Sequence, residues 1–139
     1  MVINRKIWQS KSKEYLRSAK VLLDCEQYSI AYYTAGLAVE CALKSVITRK
    51  FKNDTWPDKK FVVDIHTHDI ARLVKLADLE IERLAMEARS ANFRAYWGTL
   101  SGWRIDSRYQ TWTKAEARDI IEAASRRSDG ILSWLKKHW

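Results

Sequence analysis

Proline occurs once and glycine four times in 139 residues. A β-sandwich or barrel needs turn residues every 8–12 positions or so, and their scarcity excludes both. Cysteine is almost as rare. Cys25 and Cys41 have no C-x-x-C partner and no histidine at zinc spacing, so they read as buried small hydrophobes rather than as a disulfide or metal pair. No apolar run approaches the roughly 18 residues of a membrane span. The basic start, with Arg5 and Lys6, is followed by no apolar run that would make a signal peptide. A soluble, cytoplasmic protein with no membrane partner is expected. The three histidines are His66, His68 and His138, and the positions three residues before them are Val63, Ile65 and Leu135. The Glu-x-x-His pairs of a di-iron bundle are therefore absent. There is also no glycine-rich phosphate loop, no Gly-x-Ser-x-Gly elbow and no internal repeat, which removes the NTPase and hydrolase templates.

Hydrophobic residues make up 47 % of the chain and charged ones 30 %, a balance that supports a packed core and argues against disorder. At 16.3 kDa residues 1–139 form a single domain. Twenty-five Lys and Arg stand against 17 Asp and Glu, giving +8 and a pI near 9.6, which favours anionic partners such as nucleic acid.

From Asn4 to Cys25, Trp8, Tyr15, Leu16, Ala19, Leu22 and Leu23 recur at three- and four-residue steps between lysines and arginines, the pattern of an amphipathic helix. Ser29 is the expected N-cap of a second helix, which runs to about Arg49. Between Ile30 and Leu43 only Thr34 and Glu40 are strongly polar, so this helix should be the buried centre of the fold. Residues 50–66 hold the one proline and no sustained period, and read as a long basic loop. A short helix is expected from Asp69 to Ala77, capped by Thr67 or Asp69. Another begins near Glu80 with Ile81, Leu84, Ala85 and Ala88 on one face. Thr113 and Glu116 form a capping box that opens a last helix reaching about His138. Together these give an all-α antiparallel up-and-down bundle of four to five helices.

Three groups of residues carry the candidate chemistry. Glu40 and Lys44, at i and i+4 on the most apolar helix, read as a structural ion pair because a buried charge must find a partner. His66 and His68, with Asp64 and Asp69 beside them, have donors suited to a metal, but histidines at a helix start more often serve local hydrogen bonds, and no metal or other cofactor is expected. The segment 89–112 interleaves Arg89, Arg94, Arg104 and Arg108 with Phe93, Tyr96, Trp97, Trp103, Tyr109 and Trp112. Guanidinium groups grip phosphate and aromatic faces stack bases, so Arg89, Arg94, Arg104, Arg108 and Trp112 are the candidate nucleic-acid-binding residues. Trp97, Leu100 and Trp103, at three-residue steps, are better read as core.

The segments Tyr28-Ser-Ile-Ala-Tyr-Tyr-Thr-Ala-Gly-Leu-Ala-Val-Glu40-Cys-Ala-Leu-Lys44, Thr67-His68-Asp69-Ile70 and Arg108-Tyr109 resemble, in order and spacing, the HEPN domains (higher eukaryote and prokaryote nucleotide-binding). The resemblance implies a helical bundle that commonly dimerises, found in toxin-antitoxin, antiphage and RNA-processing systems. Many such domains are metal-independent ribonucleases that carry an Arg-x4-6-His motif. That motif is absent here: Tyr109, Gln110 and Thr111 stand where an arginine at Arg104 would need its histidine, and none of the three is an acid or base near neutral pH. The resulting expectation is a non-catalytic module binding RNA or nucleotide in a bacterial toxin-antitoxin or defence setting, paired with a second copy or a cognate partner through the face at Arg104 to Trp112. The alternatives are a diverged ribonuclease using Arg104, Arg108, Tyr109 and His68, and an oligomerisation or adaptor subunit.

Overall fold

In the computed structural model, which describes residues 3–51 and 57–139, the periodic segment near the N-terminus is helix α1, Arg5–Asp24. Asn4 caps it by accepting the Ile7 N–H at 3.0 Å. A tight reversal leads into α2, Tyr28–Thr48, and the two helices form the most extensive pair in the molecule. Ser12, 1 % exposed on α1, donates its hydroxyl hydrogen to the Ala38 carbonyl of α2 at 2.8 Å, which fixes their relative register. Fourteen of the 21 residues of α2 are buried, and it also meets the later helices, so it is the axis of the bundle. By length and composition α2 is apolar enough to cross a membrane, contrary to the sequence reading, but 78 % of its most apolar window is covered by the rest of the protein.

The remaining helices are α3 (Lys59–Asp64), α4 (Ile70–Leu76), α5 (Glu80–Arg89), α6 (Ala91–Ser101), a 3-10 turn at Ile105–Tyr109, α7 (Lys114–Ser125) and α8 (Ile131–Leu135). All regular structure among the described residues is helical. The all-α bundle expected from the sequence is present, divided into more and shorter pieces. With so few glycines, two helix ends place other residues in the left-handed region. Glu26 after α1 and Asp78 after α4 have φ near +60°, and the N–H groups of Gln27 and Leu79 close back onto Leu22 and Val74. Each such position costs about 1–2 kcal/mol relative to glycine.

Several sequence expectations are corrected. Within the stretch read as a basic loop, Asp58 caps α3 through the N–H groups of Lys60 and Phe61, so residues 59–64 are helical; positions 52–56 of that loop lie outside the described residues. Ser29 is not an N-cap. It lies inside α2, and its hydroxyl oxygen accepts the backbone N–H of Trp112 at 2.9 Å. The Thr113–Glu116 capping box forms as expected, but the last helix breaks after Ser125. Gly130 makes that break compact, since a Cβ there would stand 2.3 Å from the Arg126 carbonyl oxygen. Cys25 is exposed where the sequence suggested burial, and only Cys41 is a core residue. α5 begins at Glu80 with Ile81, Leu84, Ala85 and Ala88 on one face, and that face is the solvent face: Ile81 is 83 % and Leu84 53 % exposed, and Ala85 and Ala88 are exposed too. Arg83, on the inner side, stacks over Trp97 at 4.8 Å and pairs with Glu80 and Glu87.

Trp97, Leu100 and Trp103 are buried, as their spacing suggested. Trp103 is held in a slot that exists only because residue 36 is glycine, since a Cβ on Gly36 would lie 2.1 Å from the indole ring. Overpacking of this kind costs about 1–3 kcal/mol. Gly36→Ala is therefore expected to lower the thermal midpoint by several degrees, and an unchanged melting curve would show that the indole has room to retreat.

Candidate functional site

Glu40 is 5 % exposed on the most apolar helix, where a carboxylate stays ionised only if donors compensate for lost water. Two donors do so at one oxygen. The Lys44 ammonium, one turn along, stands 2.9 Å from Oε1, and the His68 Nδ1 stands 2.8 Å from the same atom. Oε2 is buried with no hydrogen-bond partner among the described residues. Lys44 also lies 5.5 Å above the Trp8 ring, which helps hold the ammonium in place.

The turn before α4 positions His68. Thr67 Oγ1 accepts the Asp69 N–H at 3.2 Å, and Asp69 caps α4 by accepting the Arg72 N–H at 3.1 Å. Ile70, Leu73 and Val74 then anchor α4 in the core. Because a carboxylate only accepts, the proton of the His68–Glu40 bond lies on Nδ1, leaving Nε2 as the ring nitrogen turned away from Glu40. His68 itself is 48 % exposed along its side chain.

Arg104 reaches the same place from the other side. Trp103 before it is buried, Ile105 after it is half-buried, and its own backbone is extended at the start of the 3-10 turn. The guanidinium is thereby directed outward, 76 % exposed, with Nε donating to Asp106 Oδ1 at 3.3 Å. Thr67, His68, Asp69, Ser101, Trp103, Arg104 and Ile105 line one open cavity of about 410 Å³. A histidine and an arginine from separate elements thus face a common space, the pairing needed to hold a phosphoryl group. His66 does not join them. It lines a separate cavity of about 190 Å³ with Lys44 and Trp8, so the two histidines do not form the shared donor set considered from sequence.

The other candidate residues are spread out. Arg89 ends α5 with its guanidinium against the Met86 sulfur, and Arg94 is exposed on α6. Arg108 stacks at 4.8 Å over the ring of Tyr109, which is 77 % exposed. Trp112 is stacked on Tyr32 at 3.7 Å and 9°, and its Nε1 donates to the Ser107 carbonyl, so one of its faces is already covered. Sequence reasoning treated Glu40 and Lys44 as a closed pair and missed His68 as the third member. The available signal was stoichiometric: a buried carboxylate has room for more donors than one lysine supplies. Cys41, next to Glu40, is inert, its thiol pushed up to about 12 chiefly by burial and further by the neighbouring carboxylate.

Removing one member of a buried pair strands the other. Glu40→Ala is expected to cost roughly 3 kcal/mol or more and His68→Ala less, because His68 is half exposed. Thermal melts of both variants check the order, and a Glu40→Ala protein melting within a degree of the parent would refute the dependence.

The HEPN domain family model matches residues 6–138 of the chain, while no curated protein and no solved structure matches it. That match runs from the second residue of α1 past the end of α8 and includes Glu40, His68 and Arg104, and on it the chain belongs to the HEPN domain family.

Proposed function

We propose that this chain is a non-catalytic RNA- or nucleotide-binding module acting in a cytoplasmic toxin-antitoxin or antiphage setting, with its phosphate site in the His68–Arg104 cavity. Family membership supports a nucleotide- or RNA-related role. The observation that carries the finer reading is the placing of His68 and Arg104 on one cavity of about 410 Å³. Arg104 presents a planar fork whose terminal nitrogens no described residue engages, and His68, held through Nδ1 by Glu40, turns its Nε2 away from that carboxylate. The +8 net charge draws an anionic strand toward the surface. No histidine follows Arg104 at the spacing of the family's ribonucleases, which favours binding without turnover.

A specific observation supports the second reading, a diverged metal-independent ribonuclease. Glu40 orients the His68 imidazole at 2.8 Å, and a carboxylate fixing a histidine tautomer is the arrangement of a general acid–base pair. The two readings separate in one experiment with labelled single-stranded RNA in EDTA. The protein is expected to retain RNA at low salt, to release it as salt rises and to leave it intact. Arg104→Ala with Arg108→Ala weakens retention and flattens the salt slope. Fragments that disappear in a His68→Ala variant would replace the first reading by the second.

Pairing with a second copy or a cognate partner through the face at Arg104 to Trp112 belongs to the same proposal. The exposed Tyr109 ring with Arg108 stacked on it has the composition of an interface anchor. Light scattering is expected to give a dimer at micromolar concentration, and a monomer with no copurifying partner would remove this part of the reading.

A further inference from the structure

Positive charge without an ion-pair partner gathers in a cleft between α1 and α8 that shares no residue with the His68–Arg104 cavity. Ser12, Lys13, Leu16, Arg17, Leu132 and Lys136 line this cleft of about 230 Å³. Three of the six are cations and none is an acid. Lys13, Arg17 and Lys136 form no ion pair with any described residue. Glu14, the acid nearest them in α1, is engaged with Lys11 at 3.0 Å. The floor is apolar: Leu132 is 2 % exposed and Leu16 half-buried. The Ser12 hydroxyl is already committed to the Ala38 carbonyl. Trp139 is flanked by two of the three cations, with Lys13 Nζ 5.7 Å and Lys136 Nζ 5.8 Å from its ring centroid.

Like charges held around a common space repel one another, and an apolar floor weakens the solvent screening between them. An anion relieves that repulsion, and one with several oxygens can be gripped from three sides, by the arginine fork and by two ammonium groups. We propose that the α1–α8 cleft is a second anion site whose ligand is a phosphoryl group, bound by Lys13, Arg17 and Lys136. The site stands independently of the function proposed above, since free phosphate suffices to occupy it. When the phosphoryl group belongs to RNA, the cleft gives the strand a second anchor.

The test uses the full-length chain labelled with 15N. Inorganic phosphate is expected to shift the Trp139 indole N–H and the backbone amides of Lys13, Arg17 and Lys136 along a saturating curve, whereas sodium chloride at matched ionic strength does not. Lys13→Ala with Arg17→Ala, both exposed and therefore compatible with folding, is expected to weaken phosphate binding by about tenfold or more, at the usual strength of hydrogen bonds to charged groups. His68→Ala with Arg104→Ala leaves the Trp139 response unchanged. Shifts that follow ionic strength alone, or that survive the Lys13/Arg17 double variant, would overturn the site. A single-stranded oligouridine titration assigns the source: saturation by RNA with the same signals identifies backbone phosphate, and saturation by phosphate without a response to RNA identifies a small phosphorylated ligand. RNA retained by the chain while the Trp139 indole stays silent to both probes would remove this site and leave the function proposed above standing.

Discussion

A single carboxylate oxygen, Glu40 Oε1, ties the axial helix to the candidate site. The apolar character of α2 makes it the axis of the bundle, and the same character makes an unpartnered charge on it intolerable. Lys44 supplies a partner from within the helix, and His68 supplies one from the turn before α4. The requirement for burial and the placement of the candidate histidine are therefore one constraint. His68 is where it is because Glu40 needs it, and the remaining ring nitrogen is then directed away from the core.

The other wall of the cavity is set by packing. Gly36 leaves the slot that receives the Trp103 indole, and with that ring buried the next residue, Arg104, has its guanidinium in solvent. Trp103 Nε1 is itself buried without a hydrogen-bond partner among the described residues, a polar cost accepted for a large buried ring. The axial helix thus controls both sides of the cavity, by charge at Glu40 and by the absence of a side chain at Gly36.

Much of this order was legible in the sequence wherever the determinant is local. The apolar run of α2, the Thr113–Glu116 capping box, the Asp69 cap and the Trp97–Leu100–Trp103 spacing across the end of α6 each depend on residues within a turn or two. What was not legible depends on neighbours distant in sequence. The partner of Glu40 lies 28 residues away, and Ser29 serves Trp112, 83 residues away, instead of its own helix. The break after Ser125 falls where the backbone turns extended at Arg126, with Gly130 packed against it before α8, and the continuing period hid it. In α5 the period disclosed the helix and its apolar face but not that this face meets solvent, because amphipathicity says that two sides differ and not which neighbour each will meet.

That arrangement gives α5 a mode of attachment unlike that of the central helices. The α1–α2 pair is fastened by apolar burial, which salt leaves intact or strengthens. On α5 no residue is fully buried: Met86 packs part-buried against the core, Arg83, held by Glu80 and Glu87 of its own helix, lies over the Trp97 face, and Glu82 stands 3.0 Å from His138 Nε2, so that much of the attachment is of a kind weakened by screening ions. The backbone amides of α5 consequently exchange with solvent ahead of those of α2, and raising the ionic strength loosens α5 while the α1–α2 pair stays closed.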